Sequence, residues 1–267
     1  LNVTGVQTCA LPIYTIKAID FAGGTAIHIN AGAAGLALAI VLGRRVDFLI
    51  KPMRPHNMTL VMLGAGMLWF GWFGFNAGSA LGANTTAALA WVNTLAAPAA
   101  AMLAWLGVEQ IRDGHPTSLG AASGIVAGLV AVTPAAGSVS PLGAVAIGIL
   151  AGIACAFAIG LKNRLGFDDS LDVVGVHLVG GLLGTLAIGL FADPASPAGV
   201  AGLLYGGGTD QLGRQAVGAF AVLGYSFAVT LGIGKLIDVT MGFRVTRAAE
   251  NNGIDLAEHT EVGYDLS

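Results

Sequence analysis

Residues 20–43, DFAGGTAIHINAGAAGLALAIVLG, decide the fold, together with their counterpart at residues 171–192, LDVVGVHLVGGLLGTLAIGLFA. Each is an apolar run of the length an α-helix needs to cross a bilayer, about 20 residues. Each carries one histidine, His28 or His177, with no positive charge beside it. An ionisable ring at that depth in hydrocarbon is expensive, so an intramembrane histidine reads by default as functional. Asp20 and Asp172 stand near the start of the two runs. There a carboxylate satisfies free helix N–H groups and meets the positive end of the helix dipole, so both aspartates read first as caps.

The rest of the chain agrees with a membrane setting. Apolar residues make up 55% of it and charged residues 10%, with a mean hydropathy of +0.78; a soluble domain carries roughly a quarter charged residues. The few charges lie in loops and form no basic footprint, which excludes a nucleic-acid partner. Glycine occupies 41 of 267 positions, and small residues let apolar helices approach closely where no hydrophobic drive holds them together. The class is therefore all-α, a polytopic transmembrane helix bundle. Cys9 and Cys155 are the two cysteines, too few for a disulfide framework or a thiolate metal site; neither a metal nor a cofactor is expected.

Apolar stretches fall near residues 19–42, 58–80, 86–106, 118–136, 141–161, 173–191 and 215–238, which makes seven spans. The fourth is glycine-rich and ends at Thr133-Pro134, where the proline limits the helix. Arg44, Arg45, Lys51, Arg54, Arg112, Lys162, Arg164, Lys235, Arg244 and Arg247 fall on one side of this topology, and only Lys17 and Arg214 on the other. The positive-inside rule makes the first side cytoplasmic. The first span then runs inward, and the polar segment 239–267 is a cytoplasmic tail, either solvated or packed as a regulatory segment on that face.

Residues 1–13 stand apart. Residues 3–13, VTGVQTCALPI, match letter for letter the translation of a common sequencing-adapter oligonucleotide. The segment reads as a translated artefact to be excluded from fold reasoning, leaving 14–238 as the membrane domain of an N-terminally truncated chain.

His56, His115 and His259 lie in loops or the tail and need no special explanation. His28 and His177 differ, because the first span starts outside and the sixth inside. Inverted repeats of this kind place functional groups near the midplane at the repeat interface, so the two rings can meet and share a hydrogen bond. The densest aromatic run, residues 69–75, is followed by Asn76, Gly78 and Ser79. Aromatics near a span's outer end suit an interfacial belt. Gly71 and Gly74, beside Trp72 and Phe75, equally allow a pore mouth where ring faces meet a small cation and Ser79 offers an acceptor oxygen.

AIDFAGGTAIHIN at residues 18–30, GWFGFNAGSA at 71–80, VTPAAG at 132–137, DVVGVHLVGG at 172–181 and NGIDLAEHTE at 252–261 together resemble the ammonium transporter family, the Amt, Mep and Rh group, in its bacterial Amt form. The resemblance covers essentially everything from Ala18 onward. It implies a homotrimer in the plasma (inner) membrane, each subunit holding a pore built from two inverted five-helix repeats and a final helix, of which this chain holds the last seven of eleven spans. By motif, His28 and His177 look like the twin pore histidines, Phe75 like the inner ring of a phenylalanine gate, Ser79 like the hydroxyl of the outer ammonium site, and Asp20 like the buried aspartate supporting it. Trp72, Asn76 and Asp172 fall in supporting places. The family's outer gate phenylalanine and recruitment tryptophan have no counterpart here.

The expected function is ammonium/ammonia transport, with ammonium deprotonated near the gate and ammonia passing the histidines; the truncated chain alone is expected not to conduct. Two other readings remain open from sequence: an ammonium sensor acting through a PII-type partner on the tail, and a haem-binding membrane oxidoreductase with His28 and His177 as axial ligands.

Overall fold

The computed structural model describes residues 16–51 and 53–263, so the segment 1–13 lies outside the described residues. Helices carry the structure: α1 (Gly24–Leu42), α2 (Met58–Gly78), α3 (Thr85–Asp113), α4 (Ser118–Val132), α5 (Pro141–Leu165), α6 (Val174–Phe191), α7 (Asp210–Met241) and a short α8 (Arg247–Asn252) in the tail. The sequence supplies their boundaries locally. Asn57, Asn84, Thr117 and Ser140 each accept a hydrogen bond from the backbone N–H three residues on, at the starts of α2 to α5, which satisfies donors that a helix start leaves open. Glycines at 43, 114 and 242 end α1, α3 and α7.

Six of these helices are long and apolar enough to cross a membrane. The fourth stretch of the sequence reading is shorter than expected: α4 has 15 residues, about 22 Å of helix, and Thr133-Pro134 diverts the chain into buried turns instead of a last helical turn. Those turns remain inside the protein because Asn93 Nδ2 donates to Ala136 O and to Val139 O, both at 2.9 Å. Irregular backbone at membrane depth needs that internal satisfaction.

The core is built from small residues. Ala97, Ala131, Ala144 and Ala151 pack with Ile147 and Ile188 where α3, α4, α5 and α6 meet. A side chain at Gly184 would stand 2.1 Å from Ala131 O, and one at Gly32 would stand 2.4 Å from the Leu178 backbone nitrogen, so α6 approaches α4 and α1 only because no Cβ intervenes. α2 is the outlier, burying little besides Ala65, Trp72 and Asn76.

The basic residues gather at one end. Arg44 Nε donates to Gly166 O, Arg112 Nη1 to Ala156 O, and Arg244 Nη1 to Leu42 O. α1 and α7 finish at this end, whereas α6 starts there. The tail packs against it: Val46 N donates to Glu250 Oε1 at 2.6 Å, and Ala249 is buried.

Candidate functional site

Both histidines lie in π-helical openings of their helices, Gly24–Ile29 in α1 and Val174–Leu178 in α6, a local widening found frequently at functional sites. A carboxylate holds each opening. Asp20 Oδ1 accepts from Thr25 N at 2.9 Å and Oδ2 from Ala26 N at 3.0 Å. In α6 the capping residue is Asp169 and not Asp172: its two oxygens accept from Val173 N at 3.0 Å and Val174 N at 2.7 Å. Asp172 instead pairs with Lys162 at 2.6 Å, and Lys162 also donates to Asp169 O. Chain direction explains the exchange. Asp172 sits in the left-handed region at φ 59, so its side chain turns toward α5, leaving the N–H groups of the next residues to Asp169. The signal was present in the sequence, since Asp20 and Asp169 each stand eight residues before a histidine.

The two rings meet. Nδ1 of His177 lies 3.3 Å from Nδ1 of His28, and the ring centroids are 5.3 Å apart. Two neutral imidazoles in this pose place one proton between them, one nitrogen donating and the other accepting. The two rings stand in direct contact with each other, the spacing of a hydrogen-bonded pair. His28 is 4% exposed and its Nε2 is buried without a hydrogen-bond partner, while His177 is half-buried. A cavity of about 830 Å³ reaches His177 from the arginine end, passing Lys162 and Asp172.

On its other side His28 stacks on Trp72, with centroids 5.4 Å apart and planes 20° from parallel, and Phe75 meets Trp72 edge-on at 5.5 Å. Phe75, Trp72, His28 and His177 therefore form a file of four rings. Trp72 is fixed by its Nε1–H, which donates to Thr133 Oγ1 at 2.9 Å, while Thr133 donates to Leu129 O. The sequence reading placed Trp72 in support of the mouth; its contacts bring it to the histidine itself. Asn76 is fully buried and donates from Nδ2 to Thr94 Oγ1. Ser79 lies one turn beyond Phe75 and gives its proton to Phe75 O at 2.7 Å, so its oxygen faces outward as an acceptor only. Asp20 spends both oxygens on the start of α1 and touches the file only through that helix.

Gln215 escaped the sequence reading. It is fully buried on α7. Its Nε2 donates to Ile19 O and Thr185 O, and its Oε1 accepts from Ile19 N and from Gln211 Nε2. One side chain thus ties the segment entering α1 to α6 and α7, beside a hydroxyl pair between Thr25 and Thr185 at 2.7 Å. A polar residue deep in a long apolar helix was the available signal.

The model of the Ammonium Transporter Family matches residues 6–264. The chain belongs to the ammonium transporter family. It is 60% identical over 258 residues to an ammonium transporter of Mycobacterium tuberculosis, covering 94% of this chain and 54% of the relative. It is 44% identical over 249 residues to the ammonium transporter Amt1 of Archaeoglobus fulgidus, covering 93% and 63%. Among solved structures, a protein described as "Sensor Amt Protein" superposes with a TM-score of 0.82 at 34% identity over 91% of this chain and 62% of that one. Mep2 of Candida albicans superposes at 0.80 with 38% identity over 86% and 53%. The chain spans little more than half the length of several ammonium transporters it matches. Members of the ammonium transporter family are transporters and not enzymes, and the helices described here place the chain as a multi-pass membrane protein.

Proposed function

We propose that the protein moves ammonium nitrogen across the plasma membrane as ammonia, along the file of rings that ends in His28 and His177. The observation that carries the reading is the Nδ1 contact at 3.3 Å between two histidines brought together by oppositely directed apolar helices. Taking ammonium without a counter-ion into an apolar lumen costs tens of kcal/mol in the idealised limit, and desolvation favours the uncharged form. Ammonium is collected at the outer mouth by the Ser79 oxygen and the Phe75 face and is deprotonated there; ammonia then passes the histidines. The shared proton between the two imidazoles gives the released proton a separate route, which makes transport electrogenic. Trp72 and Asn76 hold the wall. Asp20 supports the outer site through the start of α1, and Asp172, paired with Lys162, lines the inner exit.

The arginine-rich end is cytoplasmic in this proposal, by the positive-inside rule, and the tail lies there. The helices stand as the last seven of an eleven-span subunit that assembles as a homotrimer, so the present chain by itself does not conduct. The docked tail and the likeness to a protein described as a sensor support a second role, signalling ammonium to a PII-type partner on the cytoplasmic face. In full-length protein reconstituted into liposomes, His28→Ala and His177→Ala are expected to abolish ammonium-driven current. Undiminished, ammonium-selective current in both variants overturns the relay.

A further inference from the structure

Away from the histidines, the arginine end holds a second constellation. Arg44 and Arg45 follow the last turn of α1, and Arg244 and Arg247 open the tail after α7; the four line one cavity of about 480 Å³. Three are already held by the protein. Arg44 Nε donates to Gly166 O at 2.8 Å with its guanidinium 5.6 Å above the Phe48 ring. Arg45 pairs with Asp168 at 3.5 Å and lies 5.9 Å from the same ring. Arg244 donates from Nη1 to Leu42 O and from Nη2 to Glu250 at 2.9 Å. Arg247 is exposed and acts on Glu250 through its charge alone.

A guanidinium has five N–H donors, so these contacts orient the groups and leave most donors unspent. Against four guanidinium charges stand the carboxylates of Asp168 and Glu250, an excess of two positive charges around one small volume. Like charges repel, and a set gathered from separate loops and held in place is a cost that an anion would remove.

We propose that this cavity binds a phosphate group, presented by an anionic phospholipid headgroup or by a free phosphate ester. A phosphate carries the charge and the acceptor oxygens that planar guanidinium forks match in pairs. The cavity volume suits one such group and its substituent. Leu42 and Met241, the last residues of α1 and α7, immediately precede the cluster, which sets it at headgroup depth, where basic residues meet anionic lipid. An anion here bridges the loop after α1 and the tail. Through the bonds of Arg44 and Arg45 it also stiffens the loop that carries Asp169, the cap of the His177 helix.

The test uses full-length protein and two probes. Inorganic phosphate is titrated calorimetrically into protein in detergent at constant ionic strength. Phosphatidylglycerol is titrated in nanodiscs otherwise made of phosphatidylcholine, with native mass spectrometry counting bound lipid. Arg44→Gln with Arg247→Gln is expected to weaken binding at least about tenfold, the loss of one charged hydrogen-bond pair. Arg112→Gln, at the same end but outside the cavity, should leave it unchanged, and Arg44→Lys with Arg247→Lys should retain weakened binding while reporting on folding. Phosphate binding in detergent supports a soluble phosphate ester, and phosphatidylglycerol binding alone supports a lipid headgroup. Binding of neither probe, or an equal loss in the Arg112 variant, overturns the proposal.

Discussion

The two histidine helices begin alike and are braced differently. α1 and α6 each open with a π-helical turn capped by a carboxylate eight residues before the histidine, the internal symmetry expected of inverted repeats. Around His28 the bracing is aromatic and neutral-polar: Trp72 stacked on the ring, Gln215 gripping Ile19, and Thr25 paired with Thr185. Around His177 it is ionic, with Lys162 on Asp172, Arg45 on Asp168, and a cavity at its side. The difference shows how one motif serves two environments. Inside the bundle the capping carboxylate spends both oxygens on backbone N–H groups and its neighbours are neutral hydrogen-bonded groups and packing, whereas at the membrane face ion pairs add to the cap and remain open to salt and pH.

Five variants and a change of pH break or sharpen that contrast. The largest effect is expected from Gly32→Val, which drives a side chain into the Leu178 backbone and separates the two histidines. Overpacking against backbone costs about 3 kcal/mol or more, so folded protein should be lost on size-exclusion chromatography. Next, Asp20→Ala should lower stability by about 3 kcal/mol, since two charge-assisted bonds to buried N–H groups vanish. Asp169→Ala should cost less, because the α6 start lies beside the cavity at the polar face, where water can accept from the freed N–H groups. Equal losses in thermal unfolding would contradict the proposed asymmetry. Smaller still, Arg45→Gln is expected to cost about 1 kcal/mol or less, an amount that shrinks in high salt, while Trp72→Phe, on the neutral side, should show no salt dependence.

The mildest change is with pH. The Arg244 guanidinium, then the Val46 N–H, hold the Glu250 carboxyl below its ordinary 4.5. A carboxylate with a lowered value contributes stability that is fully present above the ordinary value and is lost as pH falls through the lowered one. Hydrogen-exchange protection in residues 244–252, taken relative to the intrinsic exchange rate at each pH, should therefore stay constant from pH 7 down to about 5 and fall only below the ordinary carboxylate range. Release of the tail near neutrality would show that Glu250 is not its anchor.

Much of this is legible in the amino-acid sequence. Hydropathy marks the spans because each must bury its own length in lipid. The motifs around His28 and His177 singled out the two histidines that meet in the structure. The second cap was misassigned to Asp172, the nearer carboxylate, because the left-handed turn at that residue is invisible in a string of letters. The roles of Trp72 and Gln215 were hidden for another reason: their partners, Thr133, Ile19 and Thr185, lie far away in sequence.

The sequence by itself determined that this chain is a membrane bundle, where its helices run and which two histidines lie inside apolar spans, since all three follow from composition and hydropathy. Only the tertiary structure decided that the histidines touch through their Nδ1 atoms, that Trp72 closes the file, that Asp169 holds the second helix and that four arginines converge on one cavity. Those are contacts between segments distant in sequence, set by how closely glycine and alanine faces let helices approach.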